Sequence, residues 1–383
     1  MRNRNDVTSL LTLPLALASL APADADAAVL PEDRADALYH RYDGGGVTVD
    51  GPSLLVRKKF GENFSVAANY YVDMVSSASI DVLTQASPYK ETRRQASLAV
   101  DMLHGKTQYS VSYTNSEEDD YTANTASFDL SQELFGDLTT LSLGYSRGWD
   151  EVRKRGDAEF EEPVDRRSYR LGLSQIVTPT LMLGFAFETI TDEGFLNNPY
   201  RSVRYLDAEN PAGFAFQPEV YPSTRTSNAA ALNARWFLPY RAVAHGEYRW
   251  YTDTWGIDGH TVRLGYTHPL GERWVLEGGY RWYDQSSADF YADLFPRRDA
   301  QNFLARDKEL STFTSHMLSI GATYELGAAR WSFIKRSTVN LFYDRMRFDY
   351  DDFRNILEGG APGAEPLYGF DANVYRVFVS AWF

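Results

Sequence analysis

Residues 181–188 read LMLGFAFE, in which large apolar residues alternate with small or polar ones. A period of two is typical of a β-strand with one apolar face. The same alternation recurs at residues 108–113, 141–146, 168–174 and 261–266, and we find no convincing helical period in the body of the chain. These repeats predict an all-β protein with many antiparallel strands.

The connections between these segments alternate between short and long. The short set is Gly61 to Asn63, His104 to Lys106, Phe135 to Asp137, Thr178-Pro179, Pro239 to Arg241 and Leu270 to Glu272. The long set is Ser76 to Arg93, Glu117 to Thr122, Glu151 to Asp165, Asp192 to Ser223, Ser286 to Leu310 and Asp352 to Gly369, with only Trp255 to Asp258 brief. This sorting predicts a closed transmembrane antiparallel β-barrel with short periplasmic turns and long extracellular loops. A soluble exported sandwich or propeller also has alternating strands, but it has no reason to sort its loops by length.

The composition agrees with a barrel. The 383 residues are 14% aromatic, yet the mean hydropathy is -0.40, which excludes a polytopic helical membrane protein. The chain has no cysteine and a net charge of -14, so it has no thiolate chemistry and is a poor candidate for nucleic-acid binding. Rings near strand ends predict interfacial girdles: Tyr70, Tyr71, Trp149, Trp236, Phe237, Tyr248, Trp250, Trp255, Tyr280, Trp282 and Trp331.

The N-terminal region divides into three expected parts. Residues 1–27 combine early arginines, an apolar run and small residues, which indicates a cleaved secretory signal peptide. Residues 28–41 are expected to be a periplasmic segment, and residues 42–383 the barrel. Fifteen strands are counted from Ser53 onward, and Tyr42 to Val49, before a turn at Asp50-Gly51-Pro52, supplies a sixteenth. Fourteen strands is the alternative.

The last strand alternates to the final residue. Tyr375, Val377, Val379 and Phe383 resemble the terminal aromatic signal by which bacterial outer-membrane barrels are recognised for assembly. This predicts two partners: the lipid of a Gram-negative outer membrane and the barrel assembly machinery.

By parity, charged residues of both signs face the lumen. They are Arg170, Glu188, Arg235, Glu247, Arg249, Arg263, Glu277 and Arg281. They form either a cross-strand ladder that stiffens the wall or a polar channel that selects solutes, and the sequence leaves both open.

The longest loop, about residues 192–223, carries a group of donors beside rings. Asn197, Asn198, Tyr200, Arg201 and Arg204 make it a candidate constriction or ligand-binding loop, with a solvated surface loop as the alternative.

No motif predicts an enzyme or a cofactor site. Residues 144–148, GYSRG, match a nucleophile elbow, but Ser146 lies in a strand and not before a helix. The six histidines, His245 among them, lack metal-site spacing, and we predict neither a metal nor another cofactor. The acidic runs 117–120 and 349–352 are better explained as solvated loops than as cation sites.

Several segments together resemble an uncharacterised family of outer-membrane proteins, domain of unknown function 3570. They are residues 30–34, 39–42, 51–53, 73–79, 86–88 and 197–205. The resemblance implies a Gram-negative outer-membrane location and work beside a small lipoprotein and periplasmic redox proteins. Together, these observations predict a channel or transporter for a small solute. The alternative is a non-conducting structural sheath or scaffold that holds a lipoprotein or redox partner.

Overall fold

The computed structural model describes residues 29–77, 89–326 and 333–383. The expected signal peptide lies outside these residues. Within them, no helix is long and apolar enough to cross a membrane.

In the described part of the chain, sixteen strands form one closed antiparallel barrel, and two further strands form a separate hairpin. Strand β1 pairs with β18 from Arg34↔Trp382 to Gly44↔Ala372, which closes the ring. The predicted count of sixteen is confirmed. The strands are β1 Arg34–Gly44, β2 Val47–Phe60, β3 Phe64–Ser77, β4 Tyr89–His104, β5 Thr107–Glu117, β6 Tyr121–Leu134, β7 Thr139–Lys154, β8 Asp157–Thr178, β9 Leu181–Gly194, β10 Ser202–Leu206, β11 Phe214–Pro218, β12 Thr224–Phe237, β13 Val243–Asp253, β14 Asp258–Leu270, β15 Trp274–Gln285, β16 Phe313–Glu325, β17 Arg336–Arg354 and β18 Leu367–Trp382. Short 3-10 helices span Lys308–Leu310 and Ile356–Glu358.

The first hairpin differs from the predicted one. Strand β1 begins at Arg34, so the expected boundary at Tyr42 is wrong, and the turn lies at Gly45-Gly46. Both glycines have positive φ (59° and 78°), as a two-residue hairpin turn requires. Residues 50–52 lie inside β2, where Pro52 aligns with Tyr39 of β1 and pairing to β3 is interrupted. Proline has no backbone N–H to donate, so Pro52 can keep its place beside β1 but interrupts the hydrogen bonding of β2 to β3. The chain continues as one strand and does not turn there.

The outer wall is apolar. Leu318 and Ile320 on β16 are 61% and 63% exposed, which in a closed barrel identifies the face that meets lipid. Most predicted girdle residues are exposed on this outer wall: Tyr70, Trp149, Trp236, Tyr248, Trp250 and Tyr280. Phe237 is exposed at the end of β12, with the opposite parity to Trp236. Two were wrongly assigned, because Tyr71 points inward and Trp255 is buried in a turn. Trp331 lies outside the described residues.

Two predicted long loops are short turns. The β5–β6 connection is residues 118–120, and the β7–β8 connection is residues 155–156. Strands β7 and β8 remain paired as far as Arg153↔Glu161, well into the charged stretch that suggested a loop. The sequence of that stretch is polar because both of its faces are in water.

Three long loops fold together at the extracellular end: residues 195–223, which contain β10 and β11, residues 286–312, and residues 355–366. We call this assembly the cap. Among the described residues, all four clusters of buried apolar side chains lie in the cap or at the strand ends beneath it. The hydrophobic core of this barrel therefore lies at its mouth.

Candidate functional site: a capped polar lumen

The inner wall carries all eight charged residues predicted to face the lumen. Arg170 Nη2 donates to Asp129 Oδ1 at 2.8 Å, and Glu188 accepts from Ser168 Oγ at 2.9 Å. Arg263 lies 3.5 Å from Glu247. The inner wall around these charged residues is built mainly from small residues. At Gly265, for example, the His245 ring packs directly on the glycine backbone, in the space that a side chain would fill. A sixteen-strand ring lined in this way is wide enough for an aqueous lumen.

Arginines concentrate on strands β13 to β15. Register places Arg263 directly between Glu247 of β13 and Arg281 of β15. One pleat nearer the mouth, Arg249 lies beside Thr261, which pairs with Tyr283. Among the described residues, neither the Arg249 nor the Arg281 side chain has a hydrogen bond or an ion pair.

A second luminal cluster escaped the sequence analysis. His40 Nε2 and Asp73 Oδ1 are 2.8 Å apart, and the rings of His40 and Tyr71 stack at 5.0 Å. Arg93 donates to the other oxygen of Asp73. The sequence places His40 in a periplasmic segment, and only the registers of β1 against β2 and of β2 against β3 show that it lies beside Asp73 on the inner wall.

Acidic residues lie near this cluster, close to the mouth. Carboxylate oxygens of Glu91, Glu118 and Asp120 lie within 4.8 Å of one another. Asp120 is only 1% exposed, so the prediction of a solvated acidic loop is wrong at this position. Burial, together with the neighbouring carboxylates, raises the pKa of Glu118 to about 7 despite the opposing effect of Arg93.

The cap reaches from one side of the barrel to the other. In loop 195–223, Tyr200 donates to Asp120 Oδ2 at 2.7 Å and accepts from the backbone N–H of Arg155 at 2.7 Å. The same loop carries Arg204, which binds Glu365 in the β17–β18 loop. The β7–β8 turn and the β17–β18 loop stand on opposite sides of the ring. Loop 195–223 therefore spans the extracellular mouth.

A buried ion network holds the cap together. Arg204 is fully buried and contacts both Asp293 and Glu365. Asp293 also pairs with Arg306 at 2.9 Å, and the Arg306 guanidinium lies 4.4 Å from the centre of the Phe353 ring. Burial opposes the charged form of Arg204, but the two carboxylates outweigh it and raise its pKa. The network joins all three cap loops to the end of β17.

The predicted ligand residues in loop 195–223 are engaged in this structure. Asn197 donates to the Glu219 carbonyl at 3.0 Å, and Asn198 accepts from the Tyr200 N–H at 2.9 Å. Arg201 pairs with Asp307. The sequence could not reveal this, because the acidic partners of Arg201 and Arg204 lie about 90 to 160 positions further along the chain.

Ser146 faces the lumen between Ser127 and Ser168. Within the described residues it has no hydrogen bond to a histidine or a carboxylate. The flanking Gly144 has a packing role, because a Cβ there would lie 2.5 Å from Asp129 Oδ1.

The family model "Protein of unknown function (DUF3570)" matches residues 78–334, and the chain belongs to this family. Comparison with curated proteins gives no match. Solved structures with similar folds include the following three. The siderophore receptor PirA from Pseudomonas aeruginosa is 10% identical, with 84% of this chain and 60% of that chain covered and a TM-score of 0.45. OmpT of Vibrio cholerae is 10% identical over 93% and 100%, with a TM-score of 0.44. A Pseudomonas aeruginosa FadL homologue is 10% identical over 93% and 91%, with a TM-score of 0.43.

The location follows from the wall itself. A closed sheet with an apolar outer face and exposed rings near its strand ends has every backbone group paired and suits a bilayer. The protein is a β-barrel of the Gram-negative outer membrane.

Proposed function

We propose that the protein is a channel or transporter for a small solute, with the cap as its constriction. One observation carries this proposal: the buried apolar clusters lie at the mouth, whereas the membrane-level inner wall is lined mostly by small, polar and charged residues, with the stacked rings of Phe342 and Phe378 as an exception. A barrel with no need for an open interior would be more stable if apolar side chains filled that interior. A lumen lined with glycine and charge is costly unless water or a solute occupies it.

The alternative is a non-conducting scaffold that holds a lipoprotein or redox partner. The span of the cap across the mouth favours it, because locked loops present a fixed outer surface. The two functions differ in whether the cap opens.

Single-channel conductance of the purified, refolded protein in a planar bilayer separates them. We expect discrete steps from the wild type and a higher open fraction from the double variant Arg201→Ala/Arg204→Ala, which leaves Asp293, Asp307 and Glu365 without these partners. Arg347→Ala is the matched control, because Arg347 pairs with Asp349 but is 59% exposed and lies outside the network. Correctly inserted barrels that stay silent in all three forms would overturn the channel and leave the scaffold.

A proposed partner follows from β18. Its outward Tyr375, Val377 and Val379 are all more than 40% exposed, and the terminal Phe383 follows directly after the strand. This arrangement supports recognition by the barrel assembly machinery.

A further inference from the structure

We propose that Arg249, Arg263 and Arg281 form a binding site for a small anionic solute that carries a carboxylate or phosphate group. That the solute is transported rests on the channel function proposed above, whereas the binding itself does not.

The charge of the site is unbalanced. Arg281 is only 8% exposed, its Nε has no partner, and it lies next to Arg263 across the β14–β15 pair. The facing carboxylate is Glu247, which lies 3.5 Å from Arg263. A guanidinium stays charged inside a protein, and a buried charge without a partner is strongly unfavourable. A bound anion supplies the missing partner.

Arg249 and Arg281 lie against tyrosine rings, which leaves the polar edges of their guanidinium groups available. The Arg281 guanidinium lies 5.3 Å from the centre of the Tyr283 ring, and Arg249 lies 5.8 Å from that of Tyr251. Both rings are fixed, because Tyr283 donates to Gln285 at 2.6 Å and Tyr251 donates to Asp253 at 2.8 Å. A guanidinium whose face lies against a ring keeps its in-plane N–H groups free to donate bidentate hydrogen bonds to an oxyanion.

The site lies directly beneath the cap. Gln285, two residues beyond Tyr283, donates to the carbonyls of Glu309 and Ser311 in loop 286–312. A solute admitted through the cap on this side of the barrel would therefore pass these arginines. The chain as a whole carries a charge of -14, so a local positive site would set the lumen apart from the rest of the molecule.

The test measures binding and selectivity separately. Calorimetry of the protein in detergent, with sodium pyrophosphate and sodium succinate as separate probes, measures binding whether or not the barrel conducts. We expect at least one probe to bind and the double variant Arg249→Gln/Arg281→Gln to weaken it by about tenfold or more, since charge-assisted hydrogen bonds are lost. The two probes distinguish phosphate from carboxylate recognition.

Arg170→Gln is the matched control, because it removes a luminal arginine that already has a partner, Asp129. It should leave binding unchanged. If the barrel conducts, the reversal potential in a KCl gradient should indicate anion preference in the wild type and in Arg170→Gln, and lose it in the double variant. Binding that is absent in the wild type, or equal in all three proteins, would overturn the site. A silent barrel that still binds would overturn only the channel.

Discussion

Gly144 shows how single residues shape the lumen. The Arg170–Asp129 ion pair crosses β7 in the space where a side chain at position 144 would lie. A Cβ there would be 2.5 Å from Asp129 Oδ1 and 2.8 Å from Arg170 Nε. The glycine that resembled part of a nucleophile elbow is therefore needed for a cross-strand contact.

Gly144→Ala should destabilise the barrel by about 1–3 kcal/mol, because the ion pair must shift to accommodate the methyl group. Urea unfolding in lipid vesicles measures the change. Gly278→Ala is the control, since nothing lies within 4 Å of a Cβ at that outward position. Equal stability of the two variants would show that the ion pair adapts freely.

Parity along single strands was enough to place the eight luminal charges. It could not show which of them have partners, because each partner comes from another strand. The His40–Asp73–Arg93 cluster was missed for the same reason, since its members lie on β1, β3 and β4 and only the strand register shows that they meet.

At the level of strands, alternation and turn residues predicted the count, and the error lay at β1. Gly45-Gly46 is a strong hairpin signal, but Gly51-Pro52 is also a turn signal when read alone. The structure places the turn at Gly45-Gly46, because Pro52 pairs with β1 and is separated from β3. Both features depend on tertiary structure, which the local sequence does not show.

Leu143→Arg tests the face assigned to lipid. Leu143 on β7 is 47% exposed on the outer wall. A charge there should cost about 2–4 kcal/mol near the bilayer midplane. Unfolding in lipid vesicles measures it, with Leu143→Phe as an apolar control that should stay close to the wild type. An arginine variant as stable as the control would contradict the orientation of β7.

For the whole molecule, the cap was the part that sequence could not supply. The sequence indicates an unusual loop at about residues 192–223, but the fold of loop 195–223 depends on Asp293, Asp307 and Glu365 in two distant loops. Loop sequences have no period, so only the assembled structure shows that the three loops pack as one unit. In the proposed channel the three loops act as one unit, and access to the lumen depends on the stability of the closed cap.

That stability should depend on pH through Glu219. Glu219 is 5% exposed at the centre of the cap, where it accepts from the Arg306 N–H at 2.7 Å and from Tyr221 at 2.7 Å. Burial, with a contribution from Asp307, raises its pKa to about 7 although Arg201 opposes the shift. When the cap opens, the pKa returns toward the ordinary value of 4.5.

The sign of the effect follows from proton binding. Between these two pKa values the closed cap holds a proton that the open cap releases, so closure is strongest at low pH and weakens as the pH rises from about 4.5 to about 7. Glu118, with its pKa also near 7, acts in the same direction. Hydrogen exchange of the cap amides, corrected for intrinsic rates, should therefore show less protection at about pH 8 than at about pH 5, by an amount on the order of 3 kcal/mol.

Glu219→Gln should remove the share of this dependence that Glu219 contributes and leave the share of Glu118, because an amide keeps the shape and one of the two acceptor oxygens but does not titrate. Glu272→Gln, in an exposed periplasmic turn, should leave it intact. If the cap loosens in the same way in Glu219→Gln as in the wild type, Glu219 is not the controlling group, and the Glu91–Glu118–Asp120 cluster beneath Tyr200 becomes the place where the cap senses pH.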